Sequence, residues 1–290
     1  MNLRLWVLLS VVALSSSAAA QSEFTTSSLP AEHPAIEALE HAYPQWISVS
    51  GEDGDTVLTV RGRVFTWAHG RLLPPSTADR WQEFAAQPFY PYPHDVPDVA
   101  SWSDERVAEI EARLADRRGS AVRRSSGFFD ALWGIHGEAD ADDAVQTLRF
   151  LGFKVNVHNA LAGPLARVEA RLSSRRAGDP SLDRFLKGLS RLEGYNWRDI
   201  AETQSRSNHA YGIAIDIIPR SYEGRIPYWL WAPQNTAGWY KAAWANRWVP
   251  HPAVVEAFEA EGFIWGGKWV LFDTIHFEYR PEILILSGMR

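Results

Sequence analysis

The chain has 290 residues, 46% apolar, 22% charged and 12% aromatic, which excludes a disordered or collagen-like chain and supplies a sizeable core. Its formal charge of −6, from 29 Lys+Arg against 35 Asp+Glu, gives no electrostatic footprint for nucleic acid or an anionic membrane surface. Cysteine is absent, which excludes disulfides, thiolate metal sites and cysteine nucleophiles, while tryptophan numbers 14.

Residues 1–20 read as a signal peptide. Arg4 is the one charge of a short n-region, Leu5 to Leu14 is nearly continuously apolar, and Ala18-Ala19-Ala20 fits a small-residue cleavage pattern before Gln21. The apolar run is too short to span a bilayer, and no other stretch reaches about 18 apolar residues, so no transmembrane segment is expected in the mature chain. The expected location is outside the cytoplasm, periplasmic or secreted, after cleavage near Ala20.

Residues 21–100 read as an N-terminal extension. A Ser/Thr/Pro-rich leader runs into a short helical stretch, and 46–72 reads as a small β-meander. Trp46–Ser50 alternates, Glu52–Asp55 is a turn signal, and Val57–Val60 and Val64–Trp67 flank a second turn at Arg61-Gly62-Arg63. The prolines of 87–98 exclude regular helix and suit an extended arm. A boundary is placed near 100.

From 101 to 290 the pattern predicts a second, larger unit. Ser103 N-caps a helix with Val107, Ile110 and Leu114 on one face and Gly119 at its end. A helix is predicted from Asp142 to Leu151, with Val145, Leu148 and Leu151 inward and Gly152 as its C-cap. Phe153–Val157 alternates as a strand. Pro164 suits a helix N1 position ahead of Leu165, Val168 and Leu172. Leu182, Phe185, Leu186 and Leu189 mark another helix. Pro252 opens a final one, with Val254, Val255 and Phe258 inward and Gly262 closing it. Strands are predicted at Gly212–Ile218 and His276–Tyr279. Helices and strands do not alternate strictly, so the expected fold class is α+β, with a small antiparallel sheet flanked by helices.

Several motifs fail on inspection. Gly262 to Lys268 fits seven positions of a P-loop, but Trp269 stands where the metal-binding Ser/Thr is required. G-x-S-x-G, S-x-x-K and H-E-x-x-H are absent. His136-Gly137-Glu138 has the spacing of a deaminase motif whose cysteines this chain lacks.

The informative segment is Ser205 to Asp216. On a strand, Ile213, Ile215 and Ile217 point one way into a core, while Gly212, Ala214 and Asp216 point the other. Two small residues beside a carboxylate leave a hollow, and His209 lies in a turn just upstream. Further on, Phe272 to Tyr279 places His276 and Glu278 on one strand face, with Asp273 three residues ahead of His276. Two His and one Asp leave a fourth tetrahedral position open for water, the pattern of a catalytic zinc site.

Ser207-x-His209-x-x-Gly212-x-Ala214-x-Asp216, followed some 60 residues later by Asp273-x-x-His276, resembles the LAS family of zinc peptidases. That family includes D-alanyl-D-alanine carboxypeptidases and dipeptidases and L-alanyl-D-glutamate endopeptidases. Gly262–Trp269 and Asn196–Ile200 also resemble family members, and the resemblance covers about 125–290. It implies a LAS/hedgehog-like fold and one Zn²⁺ per chain held by His209, Asp216 and His276. It implies Asp273 as general base, Arg198 stabilising the oxyanion or positioning the carbonyl, and Ser207 as a supporting hydrogen-bond residue. The implied substrate is peptidoglycan or its stem peptides. Thr274-Ile275 and Ile217-Ile218-Pro219 depart from the usual pattern beside the ligands.

Two other functions stay open at this level: a zinc-containing wall-binding module without catalysis, and a peptidase acting on non-wall peptides. Glu278 reads equally as a partner of a histidine ligand or as an ordinary salt-bridge residue. The remaining histidines, including His136, His158 and His251, read as structural. Eight tryptophans fall between 197 and 269; most suit core roles, and Trp229 or Trp231 is expected to wall the cleft and contact substrate.

Overall fold

Helix α1 (His33–Ala42) opens the structure, a computed structural model that describes residues 33–51, 57–119, 122–200, 203, 205–232 and 244–290. The signal-peptide segment and the Glu52–Asp55 turn lie outside the described residues. Ile36 and Leu39 of α1 recur at helical spacing and are buried.

The meander expected over 46–72 forms as a four-stranded antiparallel sheet: β1 (Ile47–Ser50), β2 (Val57–Val60), β3 (Arg63–Ala68) and β4 (Arg71–Leu73). Its β2–β3 turn is a two-residue hairpin turn, with positive φ at Arg61 and Gly62. β5 (Phe84–Ala85) follows. Residues 87–98 then run without regular structure, as their prolines require, and bury Phe89, Tyr90 and Tyr92.

Helix α2 (Asp104–Gly119) begins where Ser103 Oγ accepts the Arg106 amide at 3.3 Å. Ile110 is buried on its inner face and Val107 half-buried; the Leu114 side chain lies outside the described set. β6 (Arg123–Arg124) pairs in parallel with β5, and α3 (Gly127–Trp133) is buried along most of its length.

The helix predicted for 142–151 is corrected. Only one turn, α4 (Ala141–Ala144), is helical; β7 (Val145–Phe150) and β8 (Phe153–His158) then form an antiparallel hairpin. Val145, Leu148 and Leu151 share a spacing of three, which suggested a helical face. Gln146, Leu148 and Phe150 instead line one side of a strand, and Leu151 and Gly152 both take positive φ in a two-residue turn. Gly152 therefore turns a hairpin rather than capping a helix.

Helix α5 (Ala162–Arg176) buries Leu165, Val168 and Leu172 as expected, with Pro164 third in the helix rather than first. Helix α6 (Pro180–Lys187) is capped by Asp179 and ends before Leu189, which opens β9 (Leu189–Glu193) instead of extending the helix. β10 (Ala214–Pro219), α7 (Pro252–Glu259), β11 (Phe263–Trp265) and β12 (His276–Tyr279) follow. A last helix, α8 (Pro281–Leu286), has Pro281 at its first position, so α7 is not the final helix.

Strands β11, β12, β10 and β9, in that order, form a second antiparallel sheet. One face is apolar: Ile213, Ile215, Ile217 and Phe277 are fully buried, and Phe258 of α7 stacks on Phe277 with ring centroids 4.2 Å apart. Burying each such side chain contributes about 1.5–3 kcal/mol. The fold is therefore α+β with small antiparallel sheets. Buried contacts run continuously from Leu39 of α1 through Phe65, Trp133 and Ile215 to Ile283 of α8. Among the described residues, no helix is long and apolar enough to cross a membrane.

Candidate metal centre

The pairing of β10 with β12 sets Asp216 directly opposite His276, and Ala214 opposite Glu278. The opposite face carries Ile215 and Phe277, so register alone sends the polar pair away from the core. His209 arrives on a single 3-10 turn, Asn208–Tyr211, just ahead of β10. Ser207 Oγ accepts the His209 amide at 3.3 Å, and Gly212 closes the turn. Only glycine fits there: its φ is 66°, and a Cβ would stand 2.7 Å from the His158 amide nitrogen.

The three side chains are buried, with candidate ligand atoms within 4.8 Å of one another. His276 Nδ1 lies 2.8 Å from Asp216 Oδ1, and His209 Nε2 lies 3.3 Å from Asp216 Oδ2. The two inward ring nitrogens face each other at 3.2 Å. Their outer nitrogens are committed: His209 Nδ1 donates to the Gly194 carbonyl at 2.6 Å, and His276 Nε2 to Glu278 Oε1 at 3.0 Å. With hydrogens on those outer atoms, the inward nitrogens present lone pairs that have no hydrogen bond to make with each other. Two imidazole nitrogens and a carboxylate oxygen around one point fit a divalent metal ion such as zinc. Glu278 is thus the partner of a histidine in the cluster.

A metal ion would displace the proton that His276 Nδ1 otherwise shares with Asp216. Burial works against ionisation of Asp216, but the two imidazoles outweigh it and hold the carboxyl far below the usual carboxylate range. Burial likewise opposes charge on His276, yet hydrogen bonds to Asp216 and Glu278 raise it well above an ordinary histidine.

Asp273 behaves differently. Its amide donates to the Gly266 carbonyl at 3.0 Å, while its Oδ1 is buried with no hydrogen-bond partner among the described residues. Burial is the main cause that pushes this carboxyl up to about 7, with Asp216 and Glu278 adding and His276 and Arg198 opposing. A carboxyl poised near neutrality beside a metal cluster suits proton transfer.

Arg198 lines a cleft of about 530 Å³ together with His209, Asp216, Lys154, Asn156 and Tyr195. The Arg198 carbonyl accepts the Ser207 amide at 3.1 Å, which ties the arginine segment to the histidine turn. Arg206 fastens the same loop: it pairs with Asp130 at 2.5 Å and lies over the Trp197 ring at 4.4 Å. Trp229 is buried against Leu271 and Phe272, and so supports the segment that carries Asp273. Trp231 is 58% exposed and meets Tyr222 and Tyr228 edge-on at about 6 Å. Trp239 lies outside the described residues.

Two of the other histidines, His158 and His251, have structural contacts. His158 binds the Trp133 carbonyl at 2.8 Å and caps the turn before α5, His251 caps α7, and His136 is exposed. Lys268, the P-loop-like lysine, is buried against Glu259 at 2.8 Å and over the Tyr92 ring at 4.7 Å.

Sequence reading missed two participants. The Gly194 carbonyl orients His209, and a backbone acceptor leaves no residue-type signal. Tyr222 is raised by burial and further by the Asp216 and Asp273 charges, which places its phenol in the field of the site. At Gly194 a Cβ would stand 2.1 Å from the Asn156 carbonyl oxygen and 2.9 Å from a Val155 methyl. Gly194→Ala is expected to destabilise the fold by about 1–3 kcal/mol and weaken metal binding, read by thermal melting with and without zinc. An unchanged melt would show that β8 yields without cost.

Residues 201–279 match the family described as D-alanyl-D-alanine carboxypeptidase. Residues 35–89 match a domain of unknown function. No solved structure matches the chain. The first match contains His209, Asp216, Asp273 and His276 and begins three residues after Arg198. The segment that carries the site is therefore similar to the D-alanyl-D-alanine carboxypeptidase family, the likeness that the two motifs lead one to expect.

Proposed function

We propose that this chain is an exported zinc peptidase that hydrolyses peptide bonds in peptidoglycan stems, as a D,D-carboxypeptidase or a related endopeptidase. The observation that carries the reading is the buried His209–Asp216–His276 cluster with Asp273 beside it, inside the segment that matches the carboxypeptidase family. Zinc held by those three residues would supply Lewis acidity toward a scissile carbonyl and toward water. Asp273 accepts the proton of the attacking water and returns it to the leaving amine, work worth roughly 10²–10⁴ in rate. The Arg198 guanidinium, at the cleft wall, stabilises the charge that develops on the carbonyl oxygen. Ser207 holds the His209 turn.

Export rests on the signal-peptide pattern of residues 1–20, and the substrate class on the family match. Digestion of purified peptidoglycan by zinc-loaded protein, with fragments identified by mass, tests the reading and separates carboxypeptidase from endopeptidase products. Zinc-loaded protein that releases nothing from peptidoglycan or stem peptides sinks it. A panel of non-wall L-peptides separates the broader peptidase alternative, and a non-catalytic wall-binding module would bind zinc and wall without product. The buried, ionisable Asp273 favours catalysis over that module.

Trp231 is assigned to substrate contact, because its ring is exposed and flanked by Tyr222 and Tyr228, and Tyr228 bridges to Asp273. Trp231→Ala is expected to raise KM for polymeric wall substrate several-fold with little change in kcat, since a stacking aromatic is worth about 0.5–1.5 kcal/mol. Equal kinetic constants would remove Trp231 from the cleft.

A further inference from the structure

Two lines of contact lead away from the His276 imidazole, and both end in the N-terminal segment. On the first, Glu278 accepts from His276 Nε2 at 3.0 Å, and its other oxygen stands 3.8 Å from Arg280 Nη1. Arg280 is 1% exposed. Its Nε donates to Glu282, and its Nη2 donates to the Pro88 carbonyl at 3.1 Å. The guanidinium lies 5.3 Å from the Phe129 ring centroid and 6.0 Å from that of Phe89. Glu282 in turn accepts from the Tyr43 hydroxyl at 2.7 Å, across 239 residues of sequence. On the second line, the Trp269 ring lies 5.5 Å from the His276 ring, and its indole N–H donates to the Tyr90 hydroxyl at 2.7 Å.

A separate accessory module would meet its neighbour through a polar, partly hydrated surface. Here the junction is buried, and it contains one guanidinium between two carboxylates. Such a buried array gains little net stability over apolar packing, so its value lies in fixing an orientation. A carboxylate on the outer nitrogen of a histidine sets the ring angle and basicity. That carboxylate is itself held by Arg280, and Arg280 is held from Pro88 and, through Glu282, from Tyr43.

We propose that Arg280 is a positioning residue for His276, and that Tyr43, Pro88 and Tyr90 of the N-terminal segment form the back wall of the metal centre by holding Arg280 and Trp269 in place. The inference rests on His276 being a metal ligand and is independent of which bond is cut. It gives the segment matched to a domain of unknown function a role inside the site, not beside it.

The test uses the full chain. Arg280→Lys keeps the charge and loses the fork. Tyr43→Phe and Tyr90→Phe each remove one hydroxyl. Zinc affinity by competition with a chromophoric chelator and the visible spectrum of cobalt-loaded protein are read beside the thermal midpoint. Arg280→Lys is expected to weaken zinc about 10- to 100-fold and to shift the cobalt bands in a folded protein. Tyr90→Phe and Tyr43→Phe should move both readouts in the same direction by smaller factors. A lowered thermal midpoint with unchanged zinc affinity and cobalt bands would overturn the proposal and leave the segment as packing alone. If Arg280→Lys does not fold, Tyr90→Phe decides on the same criterion. Wild-type protein that binds zinc but cuts no stem peptide would sink the peptidase reading and leave this one standing. Wild-type protein without zinc affinity would sink both.

Discussion

Asp216→Asn and His209→Ala are expected to lose zinc and to bring turnover to background while the fold survives. Asp216 is the hinge of the cluster, because one oxygen faces each imidazole, at 2.8 Å and 3.3 Å. Asn presents one oxygen and one amide, and the amide cannot ligate a cation facing the second imidazole. His209→Ala removes one of two nitrogen donors and leaves the Gly194 carbonyl without its partner. A Lewis acid contributes several kcal/mol to the transition state, and each step of about 1.4 kcal/mol is tenfold, so turnover should fall by about 10³-fold or more. Elemental analysis reads the metal content, circular dichroism the fold, and stem-peptide hydrolysis the turnover. A folded Asp216→Asn protein that still holds one zinc would show that the ligand set is wrong.

The site was more legible in the sequence than the fold around it, for a physical reason. The alternation of Ile215 and Ile217 against Ala214 and Asp216 is a period-two signal that a strand must obey, and β10 obeys it from Ala214 onward, while Gly212 closes the preceding turn instead of opening the strand. The same rule placed His276 and Glu278 on one face of β12, where they meet at 3.0 Å. Residues 142–151 misled because their apolar spacing of three is compatible with either period over so short a run; the Leu151-Gly152 turn chemistry decides for a hairpin. The final helix escaped notice because Pro281 and Glu282 follow directly on a strand, and only the Pro at its first position marks it. Prolines at 88, 91 and 93 identified an extended arm, but not that Pro88 and Tyr90 bond to Arg280 and Trp269 beside the His276 end of the cluster. Those contacts are long-range, involve a backbone carbonyl in one case, and have no local pattern. Trp229 and Trp231, two residues apart, could not be separated by sequence; one is buried and the other is exposed.

Asp273→Asn is expected to keep zinc, to lose about 10²–10⁴ in turnover, and to make the metal-free protein more stable at pH 8. The carboxyl works as a base only when ionised, so activity is present above its pKa and lost as pH falls through it. The acid limb of kcat/KM in the wild type should lie at or below about 7, because a bound cation lowers a carboxyl that burial raises to that value. Asp273→Asn should abolish that limb together with the rate. Stability runs the other way. An unfolded Asp titrates near about 4, and the folded carboxyl titrates higher, at about 7. Its contribution is therefore fully present below about pH 4 and lost as pH rises through about 7, where an ionised, buried Oδ1 has no hydrogen-bond partner among the described residues. Asp216 stays ionised in both states from about pH 5 upward, so it adds no slope there. Thermal melts of metal-free wild type and Asp273→Asn should nearly coincide at pH 4, already part at pH 5, and separate by several degrees at pH 8, the variant melting higher. Zinc should narrow the gap, since the cation stabilises the carboxylate of the wild type alone. Full turnover in Asp273→Asn would place the base elsewhere, and a variant less stable at pH 8 would mean that the Asp273 carboxylate is paired in the folded chain.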